Sequence, residues 1–279
     1  MKKILTVLSI LLISNCSSFA ACTYNCVAPH DMNNKFMTAL SVASGLNFVS
    51  EKIAQSIIKK EFSKIAKGDK IKYNLESYSS RDLKNGIFKS LSISGENLEI
   101  NGIYLSELNI KTLCDFNYVK QENNNIVFVE DLPLSLSLKV SDSDINKTMQ
   151  SNKYKKVIED INRLGLGGIK ISSTNVEIKS NKFYYHIGIS IPFIKVEKKI
   201  TISADLKVNN GEIDFTNTHL SSGGVKLDLS KIDYIINYIN PLDFSVKILD
   251  NKNAKVSIKN ASISENIVSV DAVAVIPKN

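Results

Sequence analysis

From Asn47 to Lys67 the polar residues Lys52, Ser56, Lys59, Ser63 and Lys67 recur at spacings of three and four. At about 100° per residue they form one narrow strip along a helix. Almost everything off that strip is apolar: Leu46, Val49, Ile53, Ala54, Ile57, Ile58, Phe62 and Ile65, with Glu61 and Lys64 as exceptions. No Pro interrupts the run, and Gly68 stands where a C-cap is expected. The pattern predicts a long helix that begins near Asn34. Its apolar arc covers more than half the circumference, so something concave should wrap it.

At Lys70 the period changes to two. Ile71, Tyr73 and Leu75 alternate with Lys72, Asn74 and Glu76, which marks a strand. Gly86 opens a second strand carrying Phe88, Leu91 and Ile93. Asn101-Gly102 and Asn210-Gly211 are hairpin turns, because a two-residue turn of this kind needs φ > 0 at both positions. Leu134, Leu136, Leu138 and Val140 alternate with Ser135, Ser137 and Lys139, one face apolar and one wet. A helical period returns at about 143–164, where Ser141 or Ser143 can cap. Strands follow from Ile169 to Phe215, then a short helix at about 230–239, then strands Lys255–Ile263 and Ile267–Ile276 meeting at Glu265-Asn266. The expected class is α+β: a long N-terminal helix wrapped by a strongly twisted antiparallel sheet, with two further helices. No low-complexity linker interrupts 34–279, so that span reads as one domain.

The N-terminus changes the compartment. Lys2 and Lys3, the apolar run Ile4–Ile13 and Ser18-Phe19-Ala20 form a secretory signal over 1–20. A Cys-bearing irregular lead-in covers 21–33. The expected location is the periplasm, cell envelope or exterior. After cleavage Cys22, Cys26 and Cys114 remain. Cys22 can pair with Cys26 and leave Cys114 free. Alternatively Cys22 is acylated, and Cys26 pairs with Cys114 or stays reduced. Zinc at Cys22, Cys26 and His30 is disfavoured, since export disfavours thiolate sites and a fourth ligand is distant.

Charge and motifs narrow the function. The net charge is +7, but Arg81 and Arg163 are the sole arginines and the lysines are scattered. That argues against nucleic acid and is compatible with attraction to anionic headgroups. The sequence holds no Gly-x-Ser-x-Gly, no His-Glu-x-x-His and no phosphate loop. His186 lies in a strand with no nucleophile motif beside it. Asp142, Asp144, Glu159 and Asp160 are explained by helix starts and helix surface. The reading is non-enzymatic, with no cofactor and no metal.

Two outcomes remain for so much apolar alternation: a filled core, or a curved sheet that leaves a groove for an acyl chain. The stretch Lys84-Asn-Gly-Ile-Phe-Lys-Ser-Leu-Ser-Ile-Ser-Gly95, continuing through Leu98-Glu-Ile-Asn-Gly-Ile-Tyr-Leu to Ile110, resembles the LmeA-like family of exported bacterial lipid-binding proteins. Asn240-Pro241, Val256–Ile263 and Ile267–Val273 look like that family's C-terminal end. The resemblance implies a tubular lipid-binding (TULIP-like) fold and phospholipid binding in the envelope. The candidate lining is then Val49, Ile53, Ile57 and Phe62 on the helix, with Phe88, Leu91, Ile93, Leu136 and Leu138 from the sheet. The expected partners are phospholipid or a similar amphiphile in an elongated apolar groove, with transient membrane-surface contact. The alternative is a structural or adhesive envelope protein with a filled core and a protein partner.

Overall fold

The computed structural model describes residues 26, 46–122, 125–163, 170–193, 196–221, 240–242 and 254–278. The expected signal at 1–20, the rest of the lead-in at 21–33, the helix start near Asn34 and the helix at about 230–239 lie outside the described residues.

The described chain begins with helix α1 (Leu46–Phe62) and the edge strand β1 (Ala66–Glu76). Helix α2 (Ser80–Lys84) and strands β2 (Ile87–Phe88), β3 (Ser90–Ile100), β4 (Ile103–Thr112), β5 (Asn117–Glu122), β6 (Asn125–Phe128) and β7 (Leu132–Ser141) follow. Two helices come next, α3 (Asp142–Met149) and α4 (Asn152–Arg163). The remainder is strands: β8 (Lys170–Lys179), β9 (Lys182–Ser190), β10 (Lys198–Asn209), β11 (Glu212–Ser221), β12 (Lys255–Ser264) and β13 (Ile267–Ile276). They form a six-stranded sheet ordered β1-β3-β4-β7-β13-β12, a four-stranded sheet ordered β11-β10-β9-β8 and a small sheet β2-β5-β6.

Local chemistry sets the registers. The β3–β4, β8–β9, β10–β11 and β12–β13 hairpins turn at Asn101-Gly102, Ser180-Asn181, Asn210-Gly211 and Glu265-Asn266. Every one of these residues has positive φ, as a tight turn matched to strand twist requires. In β7 the alternation resolves as expected: Leu136 and Leu138 face inward beside Ala272 and Val270 of β13, while Ser135, Ser137 and Lys139 face water. In β3 the buried positions run Ile93, Gly95, then Leu98 and Ile100. The parity shifts at Asn97, whose φ is +49°. The hairpin tip beyond it reaches α3, where the Tyr104 amide donates to Thr148 Oγ1 at 2.9 Å.

Helices α3 and α4 are one expected helix in two pieces. Ser141 caps α3 in a reciprocal box with Asp144, whose carboxylate accepts from the Ser141 amide at 3.0 Å. The helix stops at Gln150, and Ser151 Oγ accepts from the Tyr154 amide to start α4. The pieces seal the edge of the four-stranded sheet. Asn146 exchanges two 2.8 Å hydrogen bonds with the backbone of Val176. Asn162 does the same with Ile171, at 2.7 and 3.0 Å. Edge strand β8 therefore spends otherwise free backbone groups on side-chain amides, which blocks further strand pairing. A single apolar cluster joins both larger sheets to α3 and α4, with Leu98, Ile103, Tyr154, Phe183, Tyr185 and Val268 at its most buried points.

This architecture corrects the expected fold class. The described chain is mostly β, in several antiparallel sheets with small helices, and no long N-terminal helix is wrapped by a sheet. The tubular arrangement implied by the family resemblance is therefore not the one observed. The physical reason lies in what covers what. The inward faces of the sheets are covered by one another's side chains and by α3 and α4, so they do not enclose α1. Helix α1 packs instead against β1 and α2 at the margin of the six-stranded sheet. The expected helix at about 143–164 is likewise corrected to two helices broken at Gln150-Ser151.

Candidate functional site

Helix α1 is held by one side. Ala54 and Ile58 rest on a small cluster of Leu75, Phe88 and Leu132. Phe62 meets Tyr73 edge to face, with ring centroids 5.9 Å apart. Glu51 accepts from the amide and the hydroxyl of Ser77, both at 2.7 Å. These anchors occupy about a third of the circumference. On the far side Ile53 is 61% exposed and Ile57 is 56% exposed. They are four residues apart and so lie one above the other on the helix. In the turn that follows, Ile65 is 52% exposed.

Lysines flank this apolar stripe. Lys59 and Lys60 occupy the last turn, where they complement the carbonyl end of the helix dipole. Lys64 pairs with Glu61 at 2.6 Å. Lys67 is exposed on β1, past the helix end. Just there the register of β1 against β3 shifts twice, between Lys67 and Asp69 and between Asp69 and Lys72. Such bulges bend a strand and redirect its side chains. An open depression of about 450 Å³ lies here between α1 and β1. Lys59, Lys67, Ser63, Tyr73, Ala66 and Ile71 are among the residues that line it. Burial pushes the Tyr73 phenol above its ordinary value, and the nearby Ser63 hydroxyl offsets part of that rise.

The other residues expected to line a groove are dispersed. Leu136 and Leu138 are buried in the main cluster. Ile93 is buried on β3, and Phe88 and Leu91 belong to the small cluster under α1. Phe62 is half-buried against Tyr73. The side chain of Val49 lies outside the described residues. The structure thus brings Phe88 and Leu91 together and places Leu136 beside Leu138, but it turns Ile53 and Ile57 away from all of them. The sequence reading singled out neither Lys59 and Lys67 as a pair nor the Asn146 and Asn162 clamps. The one available signal was the polar strip of the expected helix, which carries Lys59, Ser63 and Lys67; the observed helix ends at Phe62, so Lys67 falls on β1 instead.

A second depression of about 470 Å³ lies beside α3, bordered by Asp142, Lys147, Gln150 and Glu177. His186, which is not part of that lining, shares Nδ1 with Thr201 Oγ1 at 2.9 Å and has Nε2 3.6 Å from Glu177. Both ring nitrogens thus face neighbours within β8–β10. Among the described residues no cluster of three or more His, Cys, Asp or Glu is placed to hold a metal ion, and no helix is long and apolar enough to cross a membrane. Elsewhere, Phe193 projects fully into solvent after β9.

Cys26 is bonded to Cys114, which decides between the pairings left open by the sequence and excludes Cys22 with Cys26. Comparison with family models, curated proteins and solved structures finds no match for this chain.

Proposed function

We propose that this chain is a non-catalytic cell-envelope protein that binds phospholipid or a similar amphiphile at its surface, through the outward side of α1. The observation that carries the reading is the pair Ile53 and Ile57, exposed at a spacing of four and about 120° round the helix from its anchors. An interfacial helix combines such an apolar stripe with basic residues at its flanks. Lys52, Lys59, Lys60, Lys64 and Lys67 outnumber Glu51 and Glu61 here, and both acids are already engaged. The complementary surface is therefore anionic. Burying the exposed parts of two isoleucines contributes roughly 2 kcal/mol, so the contact is reversible and is reinforced by headgroup charge. The signal-like N-terminus and the Cys26–Cys114 bond suit an envelope setting.

The filled cluster between the sheets favours a second reading, in which the same stripe buries against a protein partner. Flotation of the full chain with phosphatidylglycerol and phosphatidylcholine vesicles separates the two. Salt-sensitive binding to the anionic vesicles supports lipid. Oligomers with no vesicle binding at low salt overturn it.

A further inference from the structure

We infer that the depression between α1 and β1 is a binding site for the phosphate of an amphiphile's headgroup. The inference rests on the reading of α1 as the lipid-facing element and assigns that surface a headgroup. Four features meet there. Lys59 comes from the helix and Lys67 from the strand, so two elements with independent reasons to exist each deliver a cation to one depression. The helix dipole accounts for a lysine at position 59; it does not account for one at 67, past the helix end. Neither lysine has an ion-pair partner among the described residues, whereas neighbouring Lys64 and Lys70 are paired with Glu61 and Glu96. Ser63 and Tyr73 place hydroxyl oxygens at the same depression. Ser63 gives its proton to the Lys59 carbonyl at 2.7 Å, so the donors offered to a phosphate are the two ammonium groups and the Tyr73 hydroxyl, a set that suits phosphate better than a lone carboxylate.

The position is also right. On a helical wheel Lys52, Ser56, Lys59 and Ser63 lie about 110° from the Ile53–Ile57 stripe. With the isoleucines dipped into the acyl boundary, that strip sits at headgroup level, where lysine stems can lie along the apolar surface and extend their ammonium groups to phosphate. Ala66 and Ile71 give the depression an apolar base that accepts the glycerol end of a lipid. The double register shift of β1 falls within the stretch that lines it.

The test uses the full chain with its disulfide intact and the amide resonances of Ser63, Lys67, Gly68 and Tyr73. The probes are monomeric dihexanoyl phosphatidylglycerol and inorganic phosphate, at ionic strength held constant with sodium chloride. The expected result is a saturable shift with the lipid, weakened at least ten-fold in Lys59→Gln/Lys67→Gln and retained in Lys59→Arg/Lys67→Arg. Inorganic phosphate should bind at least ten-fold more weakly than the lipid; equal affinity assigns the site to free phosphate and overturns the lipid part. Shifts that never saturate, or that survive the double glutamine change in a protein with unaltered circular dichroism, overturn the site. Ile53→Ser/Ile57→Ser should keep the resonance shifts while losing vesicle binding, so failure of the headgroup site and failure of helix docking give different results.

Discussion

Helix α4 lays Tyr154 and Ile161 into the core, Tyr154 with no exposed surface at all, whereas α1, which is richer in apolar residues, leaves Ile53 and Ile57 more than half exposed. Both helices are amphipathic in sequence. What separates them is the amount of sheet each meets. The stripe of α4 runs between the main cluster and edge strand β8, and Asn162 binds the helix to that strand's backbone. Helix α1 meets one bulged edge strand, one five-residue helix and a three-residue apolar cluster, and touches the main cluster through Phe62 at its end. Apolar surface on a helix states a demand for cover, and the topology decides whether the protein itself supplies it.

Tyr154→Ala should show the contrast most strongly. Removing a fully buried aromatic costs roughly 4 kcal/mol, read as a lower urea midpoint, while Ile57→Ala should stay within about 0.5 kcal/mol. Equal losses would contradict the difference in burial. Next comes the covalent tie on the α1 side. Cys26 and Cys114 are separated by 88 residues in sequence, and Cys26→Ala/Cys114→Ala should cost about 2–4 kcal/mol through the freed chain. A midpoint unchanged from wild type would show that the tie adds nothing. The edge clamp is smaller again: Asn162→Ala leaves the Ile171 amide and carbonyl unpaired and should cost about 1–3 kcal/mol, with no comparable loss for Ser56→Ala on α1.

The α4 side also carries a stronger pH signature than the α1 side, where burial raises the Tyr73 phenol less. The Tyr154 and Tyr185 hydroxyls lie 2.7 Å apart in the core, and burial pushes both phenols well above their ordinary value of 10. Above pH 10 the unfolded chain therefore releases protons that the folded chain keeps. Stability is fully present below that pH and falls as pH rises, by up to about 1.4 kcal/mol per pH unit for each tyrosine. Tyr154→Phe should flatten the decline measured by denaturant titration between pH 9 and 11; an unchanged slope would contradict the burial of the pair.

Much of this was legible in the sequence for definite reasons. The turn pairs at Asn101-Gly102 and Asn210-Gly211 demand positive φ, and the alternation of Leu134–Val140 with serines declares a half-buried strand. Those signals are local, and both emerged as read. The wrapping of α1 was not local. It depended on which surface would meet the inward faces of the sheets, and an apolar arc carries no address. The Gln150-Ser151 break was written in Ser151, a good helix starter, but the apolar spacing continued across it and hid the restart. Nothing in the apolar spacing marks Asn146 and Asn162, because their partners are backbone groups on β8, 30 and 9 residues further along the chain. The β1 bulges beside Lys67 left no mark in the alternation of Ile71, Tyr73 and Leu75.

The central claim is that the uncovered stripe of α1 is the lipid-facing surface. It is tested most directly by flotation on phosphatidylglycerol vesicles, comparing wild type with Ile53→Ser/Ile57→Ser and with Phe193→Ser, an exposed apolar residue far from α1 in sequence. The account predicts a 10- to 50-fold loss of vesicle affinity for the α1 double variant, about 2 kcal/mol at the upper limit, with an unchanged urea midpoint and near wild-type binding for Phe193→Ser. Undiminished binding by the double variant, or loss confined to Phe193→Ser, would contradict it.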